Sequence, residues 1–256
     1  MYALRIPRHA CSPRDCARAG DLWRLIQEAT VQHSAECGWP PSRYRAVGSG
    51  FVVRDMTAIH TREARYGEAL TAWSHVVEVR RELLMRREAA IDGVMRASME
   101  WVHIGPDGGP TRAPAALIAA FPTEIGGPAL TFPAITAISP VELPPFVVTP
   151  WWTEMDPMGH VNHPRYVDWA EEAVSVWLAA RGLDPMGLVP VAERVRFRAA
   201  AKAGDTIDVR GARVGHAGSA IVVQLRMRRG AETVCDVTLV RDHLSGSLHA
   251  RASEWT

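Results

Sequence analysis

The same order of elements, one helix followed by a set of strands, occurs twice in this chain, so any acceptable fold has to contain one structural unit two times over. Asp21 to Gly38, DLWRLIQEATVQHSAECG, reads as a helix ending in glycine. Displaced by 144 positions, Gln27-Glu28-Ala29 falls on Glu171-Glu172-Ala173, and Gly38 falls on Gly182. A strand-like run follows each helix, GFVVRDMTAI in the first half and ERVRFRAAA in the second. Each run leads into a Gly-acid turn, Gly67-Glu68-Ala69-Leu70 and Gly204-Asp205-Thr206-Ile207, now 137 positions apart. Three long segments close the first half: LTAWSHVVEV, ELLMRREAAI and VMRASMEWVHI. Their counterparts in the second half are TIDVRGARV, SAIVVQLRMR and ETVCDVTLVRDHL. Polar-apolar alternation over such lengths predicts an antiparallel sheet with one wet face. A helix followed by strands, about five per half, is an α+β pattern.

Residues 105–145 separate the two halves and hold nine of the eighteen prolines, together with GPDGG and IGGP. Such a stretch cannot be a continuous helix or a central strand. It is expected to be the crossover, with a short helix at Ala115–Ala120 and little other regular structure. The first repeat is therefore placed at 1–104 and the second at 146–256.

Thr153 to Ala173, TEMDPMGHVNHPRYVDWAEEA, carries the residues with chemical potential. Asp156 and His160 sit four apart, and Gly159 between them permits a close turn. Asn162 is a good helix cap and Pro164 suits a first turn, which predicts a helix over 162–182. Tyr166, Ala170, Ala173 and Trp177 recur on one face of it, and Arg181-Gly182 supplies the stop. A carboxylate beside a helix N-terminus is suited to attacking a carbonyl, or to activating water, while backbone N–H groups hold the oxyanion. The first half has Ser12, Asp15 and Cys16 where the second has Asp156, Gly159 and His160. It is expected to supply walls rather than reactive groups.

The segment resembles the active-site stretch of hotdog-fold thioesterases, D-x-x-G-H-V-N-N-x-x-Y, here Asp156, Gly159, His160, Val161, Asn162, His163 and Tyr166. Two copies in one chain resemble the acyl-acyl-carrier-protein thioesterases of plants and bacteria, and the likeness extends over nearly the whole chain. The resemblance implies a tandem, or double, hotdog: two antiparallel sheets, each wrapping a central helix, joined into one. It implies hydrolysis of an acyl thioester, on a carrier protein or on coenzyme A, within fatty acid biosynthesis and lipid metabolism. Asp156 would be nucleophile or general base, His160 would orient substrate, and N–H groups near Gly159 and His160 would bind the oxyanion. Asn162, Tyr166 and Trp152 would contact substrate, one of the adjacent Trp151 and Trp152 being core. Plant-type members carry Asn where Met158 stands and Glu-Cys where Ala200-Ala201 stand. That departure keeps two alternatives open: a polyketide-releasing relative, and a non-enzymatic acyl-binding hotdog protein.

Composition excludes other classes. A net charge of +1 argues against a nucleic-acid binder, and no apolar run approaches the ~20 residues of a membrane span. The opening MYALRIPRHACSPRD has no apolar core of a signal peptide. Cysteines 11, 16, 37 and 235 lack paired spacing and read as reduced thiols in a cytoplasmic protein. No metal and no cofactor are expected; a homodimer is compatible with the sequence. Arg80, Arg81, Arg86, Arg87, Arg226, Arg228 and Arg229 read as solvated strand faces, or as a docking patch for an acidic carrier or coenzyme A phosphates.

Overall fold

The computed structural model describes residues 1–124, 126 and 130–244. The last residues of the second repeat, 245–256, and positions 125 and 127–129 of the crossover lie outside the described residues. The first half comprises β1 (Tyr2–Arg5), α1 (Ala19–Glu36), a short α2 (Pro41–Ala46), β2 (Gly50–His60), β3 (Ala69–Arg80), β4 (Leu84–Ile91) and β5 (Met95–Ile104). The crossover contributes α3 (Ala115–Ala119) and β6 (Thr136–Glu142). The second half continues with β7 (Phe146–Val148), α4 (Arg165–Ala179), β8 (Leu188–Phe197), β9 (Ile207–Ala217), β10 (Ala220–Arg229) and β11 (Glu232–His243).

All strands join one antiparallel sheet in the order β1-β3-β4-β5-β2-β8-β11-β10-β9-β6, with β7 also on β9. The order β3-β4-β5-β2 is repeated as β9-β10-β11-β8, so the two halves share a topology and meet at β2 and β8. That pairing runs from Asp55↔Arg196 to Ile59↔Ala192 and centres on Thr57↔Arg194, again 137 positions apart. The crossover differs from the expectation at its end. β6 is a regular strand, because its residues pair with β9 at the open edge of the second half.

The repeat extends to single hydrogen bonds. Both long helices end on a left-handed glycine, Gly38 at φ 80° and Gly182 at φ 70°. In each case the glycine N–H bonds three residues back and the next N–H five back: Gly38 to Ala35 and Trp39 to Ser34, Gly182 to Ala179 and Leu183 to Leu178. In the Gly-acid turns, Glu68 accepts from the Arg65 N–H (3.0 Å) and Asp205 from the Lys202 N–H (2.8 Å). α1 and α4 touch through Arg24 and Asp168, 2.5 Å apart and 144 positions apart. An approximate two-fold axis therefore relates the halves.

Both helices press an apolar face on the sheet. Leu22, Trp23 and Ile26 of α1 and Val167, Ala170, Val174 and Trp177 of α4 share one core with Met56, Val195, Val223 and Leu239 of the strands. A smaller cluster of Trp39, Val76, Met85, Leu117 and Phe121 lies under α3. Within the main core sits a charged group. Arg241 bonds Glu193 at 2.6 Å and Glu171 at 2.8 Å. The other Glu193 oxygen meets His60 Nε2 at 2.7 Å and accepts from Trp23 Nε1 at 3.1 Å. Arg241 and Glu193 are both 0 % exposed. No helix among the described residues is long and apolar enough to cross a membrane.

Burial by itself raises the Glu193 carboxyl, but His60 and Arg241 outweigh it and hold the group at about 2. Its stabilising contribution is complete above the unfolded value, roughly 4.3, and disappears as pH falls toward 2. Glu193→Gln should therefore flatten the pH dependence of urea-unfolding free energy in that acid window. Arg241→Met, which strips Glu193 Oε1 and Glu171 of their cation, should cost about 3–5 kcal/mol at neutral pH.

Candidate active site

The Asp156 loop is a tight turn between two short pairings. Met155 bridges Val161, Asp156 N–H bonds His160 O at 2.7 Å, and Gly159 N–H bonds Asp156 O at 3.0 Å. Gly159 takes φ 74°, the left-handed region that favours glycine. Asp156 Oδ1 accepts from the N–H groups of Met158 (2.8 Å) and His160 (3.3 Å). Its Oδ2 has no hydrogen-bond partner among the described residues, so one oxygen is anchored and the other is available. Val161 N–H bonds Ala201 O and Asn162 N–H bonds Glu154 O, both at 2.9 Å, which fixes the loop to the segment after β8 and closes it on the short turn that precedes it.

The first half contains the same loop with other side chains. Cys11 bridges Ala17, Ser12 N–H bonds Cys16 O at 2.8 Å, and Asp15 N–H bonds Ser12 O at 3.0 Å. Ala17 N–H bonds Ala64 O, as Val161 bonds Ala201. Asp15 adopts φ 57° where Gly159 stands in the second copy. The ungapped alignment of Ser12, Asp15 and Cys16 with Asp156, Gly159 and His160 thus matches the backbone, and the first copy has no carboxylate at the Asp156 place.

Several expected roles are placed differently. The His160 ring makes no hydrogen bond to Asp156; the two residues meet through the backbone. The N–H groups of Gly159 and His160 are both taken by Asp156, so they are not free for an oxyanion in this structure. Asn162 is not the side-chain cap of α4. Its backbone O accepts from Arg165 N–H at 2.9 Å, and the helix starts at Arg165 with Pro164 in the cap position, because the two residues after Asn162 form a turn first. Tyr166 is buried, and its hydroxyl accepts from Ala201 N–H at 3.1 Å, which ties α4 to the loop after β8. Neither Trp151 nor Trp152 is core. They are 63 % and 82 % exposed, since Trp152 opens a short 3-10 turn, not a strand. Trp169 provides the aromatic neighbour of Tyr166 instead, with ring centroids 5.1 Å apart, and its Nε1 bonds Glu154 at 3.2 Å.

His163 stands in the motif without an assigned role, and the structure encloses it in aromatic rings. Its ring lies 6.3 Å from Trp23 of α1, 6.2 Å from Trp101 of β5 and 6.1 Å from Phe197 of β8. Burial, assisted by the nearby Arg24 cation, pushes its pKa down to about 3, so the ring is neutral. His163 Nε2 and the adjacent Asn162 Oδ1 are buried without a partner. Rings from both halves therefore surround a neutral imidazole at the start of α4, seven residues after the anchored Asp156 carboxylate. Among the described residues, no group of three or more His, Cys, Asp or Glu side chains is arranged to hold a metal ion.

Residues 150–252, which include the whole loop, match the family model described as the Thioesterase-like superfamily. No curated protein matches the chain. Among solved structures, a candidate oleoyl thioesterase from Lactobacillus plantarum superposes with a TM-score of 0.79 at 20% identity, covering 95% of each chain. An acyl-ACP thioesterase from Bacteroides thetaiotaomicron gives 0.73 at 16% identity, over 94% of this chain and 96% of that one. The 12:0-ACP thioesterase from Umbellularia californica gives 0.72 at 15%, over 94% and 93%.

A neutral His163 has a measurable consequence. Its folded pKa lies below the unfolded value of about 6.5, so the unfolded chain takes up a proton first and stability falls as pH drops from 6.5 toward 3. His163→Gln should remove that share of the decline, read as urea-unfolding free energies at pH 7 and pH 5. Residues 150–252 thus match the model of the thioesterase-like superfamily, and the chain as a whole shares its fold with solved thioesterases.

Proposed function

We propose that this chain hydrolyses an acyl thioester to a free acid and a thiol, with Asp156 as the acting carboxylate. The observation that carries this reading is the split use of Asp156. Oδ1 is fixed by two backbone N–H groups while Oδ2 is unengaged, which is how a nucleophile or general base is oriented without being quenched. As base it would take a proton from water as the water oxygen adds to the carbonyl. As nucleophile it would form a mixed anhydride that water then opens; in both routes the C–S bond breaks and the thiol leaves protonated. His163 and the unoccupied N–H of Tyr166 are the groups positioned to receive the carbonyl oxygen. His160, on the same turn, would orient the substrate.

Each half is read as a hotdog unit whose sheet wraps its own helix, with units at 1–104 and 146–256 and a crossover between them. The thiol carrier is proposed to be an acyl carrier protein, supported by the two acyl-ACP thioesterases that share the fold. Coenzyme A is the other candidate, and the setting would be cytoplasmic fatty acid metabolism. The arginines suggested as a docking patch are mostly paired: Arg80 with Glu100, Arg86 with Glu78 and Glu88, Arg226 with Asp236, Arg229 with Asp205 and Glu232.

Asp156→Asn retains an oxygen able to accept from Met158 and His160, so the loop should persist. The variant should lose at least about 10²-fold in kcat, with little change in Tm. His160→Ala should cost less, because its backbone contacts remain. Comparable turnover by the Asn variant on acyl-CoA or acyl-carrier-protein substrates would remove Asp156 from this role. Absence of wild-type turnover on both would favour the acyl-binding alternative.

A further inference from the structure

α1 and α4 are equivalent helices, yet the C-terminal halves of their buried faces differ in kind. The buried stripe of α1 begins with Trp23 and Ile26 and then turns polar at Thr30 and Ser34, with His33 beside them. The corresponding positions of α4 are Val174, Leu178 and Trp177, all buried and apolar. Facing the polar end of α1 is Arg87 of β4, 3 % exposed. Its guanidinium donates to Thr30 O at 2.9 Å and Ser34 Oγ at 3.0 Å, with the Met85 sulfur 3.4 Å from Nε. Phe121 of the crossover covers it, 5.0 Å from Cζ to the ring centroid.

No carboxylate among the described residues pairs with Arg87. Arg241, equally buried in the other half, has two. A buried cation held only by neutral groups is costly, and the C-terminal end of α1 offers a partial charge, not a full one. Burial draws the Arg87 pKa down to about 10, so it is still cationic at neutral pH. The His33 ring, 6.1 Å from Phe121, has a buried Nδ1 without a partner. An unpaired guanidinium and an unsatisfied imidazole nitrogen thus share one dry layer between helix and sheet.

The layer and the candidate site lie against the same helix, α1. Trp23 meets His163 at the start of α4, and Ser34 lies eleven residues further on, roughly 16 Å along the helix axis. An acyl chain whose thioester sits beside Asp156 and which follows the buried stripe of α1 would bring its far end to Arg87. We propose that Arg87, with Ser34 and His33, is a subsite for a carboxylate at the distal end of the acyl group, so that the preferred substrate is the thioester of an α,ω-dicarboxylic acid. This rests on the thioesterase reading. A bidentate guanidinium–carboxylate contact would supply the counter-charge that the fold leaves out.

The test compares dodecanoyl-CoA with dodecanedioyl-CoA, and free dodecanoate with dodecanedioate, on the full chain. Wild type should favour dodecanedioyl-CoA by at least about 10-fold in kcat/KM, and dodecanedioate by a similar ratio in Kd from calorimetry. Arg87→Met should lower kcat/KM for dodecanedioyl-CoA about 10-fold to 100-fold, leaving dodecanoyl-CoA within about three-fold. Arg87→Lys should keep an intermediate preference. A wild type that treats the two chains alike, or a Met variant that slows both equally, overturns the subsite, the latter marking Arg87 as purely structural. Should the Met variant not fold, the wild-type ratios and the Lys variant decide. If neither acyl group is hydrolysed from coenzyme A or from an acyl carrier protein but dodecanedioate still binds the more tightly through Arg87, the hydrolase reading fails and the subsite stands.

Discussion

Arg241 lies between Glu193 and Glu171 with no exposed surface of its own, and through Glu193 this ionic contact is tied to the first half of the molecule. It draws on β11, β8 and α4, and Glu193 extends it to His60 of β2 and Trp23 of α1. Apolar contacts tolerate small slides; paired charges in a dry core do not, because any misplacement strands a charge. A one-residue slip of β2 along β8 would turn His60 away from Glu193 altogether. The network therefore sets the register at Thr57↔Arg194, and with it the place where α1 approaches α4. The gathering of Trp23, Trp101 and Phe197 around His163 depends on that register, since the three rings come from both halves.

Within this frame the copies have retained backbone and exchanged chemistry. The loop before each long helix makes one set of main-chain hydrogen bonds, whether it carries Ser12 and Cys16 or Asp156 and His160. The first copy even holds Asp15 in the left-handed region that Gly159 occupies freely, a conformation costly for a residue with a Cβ. A turn that persists without its preferred residue is specified by its surroundings, here the bonds of Ala17 to Ala64 and Val161 to Ala201. Divergence is concentrated in two places: the loop, where only the second copy has the carboxylate, and the end of the helix, where only the first is polar.

The repeat was legible because turns constrain sequence strongly. Gly38 and Gly182 end helices in one motif, and Gly67 and Gly204 both adopt positive φ, so each pair recurs at a fixed offset. The carboxylate was legible for the same reason, its loop being local. What failed was assignment of roles that depend on three dimensions. Asn162 reads as a cap by residue type, but the chain inserts a turn before the helix and uses its carbonyl instead. Trp152 reads as a strand residue until the 3-10 turn exposes it. His163 belongs to the motif, but its surroundings were not readable there, because they are built by three elements far away in sequence. Arg87 was readable in principle: Met85, Arg87, Ala89 and Ile91 alternate along β4, and the other three face inward. Charge alone suggested solvent; periodicity placed it inside.

The occupied amides of the Asp156 loop constrain any mechanism at this site. Gly159 and His160 N–H groups are consumed in holding the turn, so under the proposed hydrolysis charge developing on a carbonyl oxygen would be met at the start of α4. There the Tyr166 N–H is unengaged, and the neutral ring of His163 offers a nitrogen with no partner. A neutral imidazole can donate or accept a hydrogen bond, but it brings no positive charge to compete for the carboxylate. Under the proposed hydrolysis, keeping His163 unprotonated by burial would separate two tasks that a charged histidine would merge: binding the oxygen and leaving Asp156 Oδ2 free. The aromatic rings that exclude water from His163 come largely from the half that has no carboxylate of its own, which gives the first copy a chemical reason to remain in the chain.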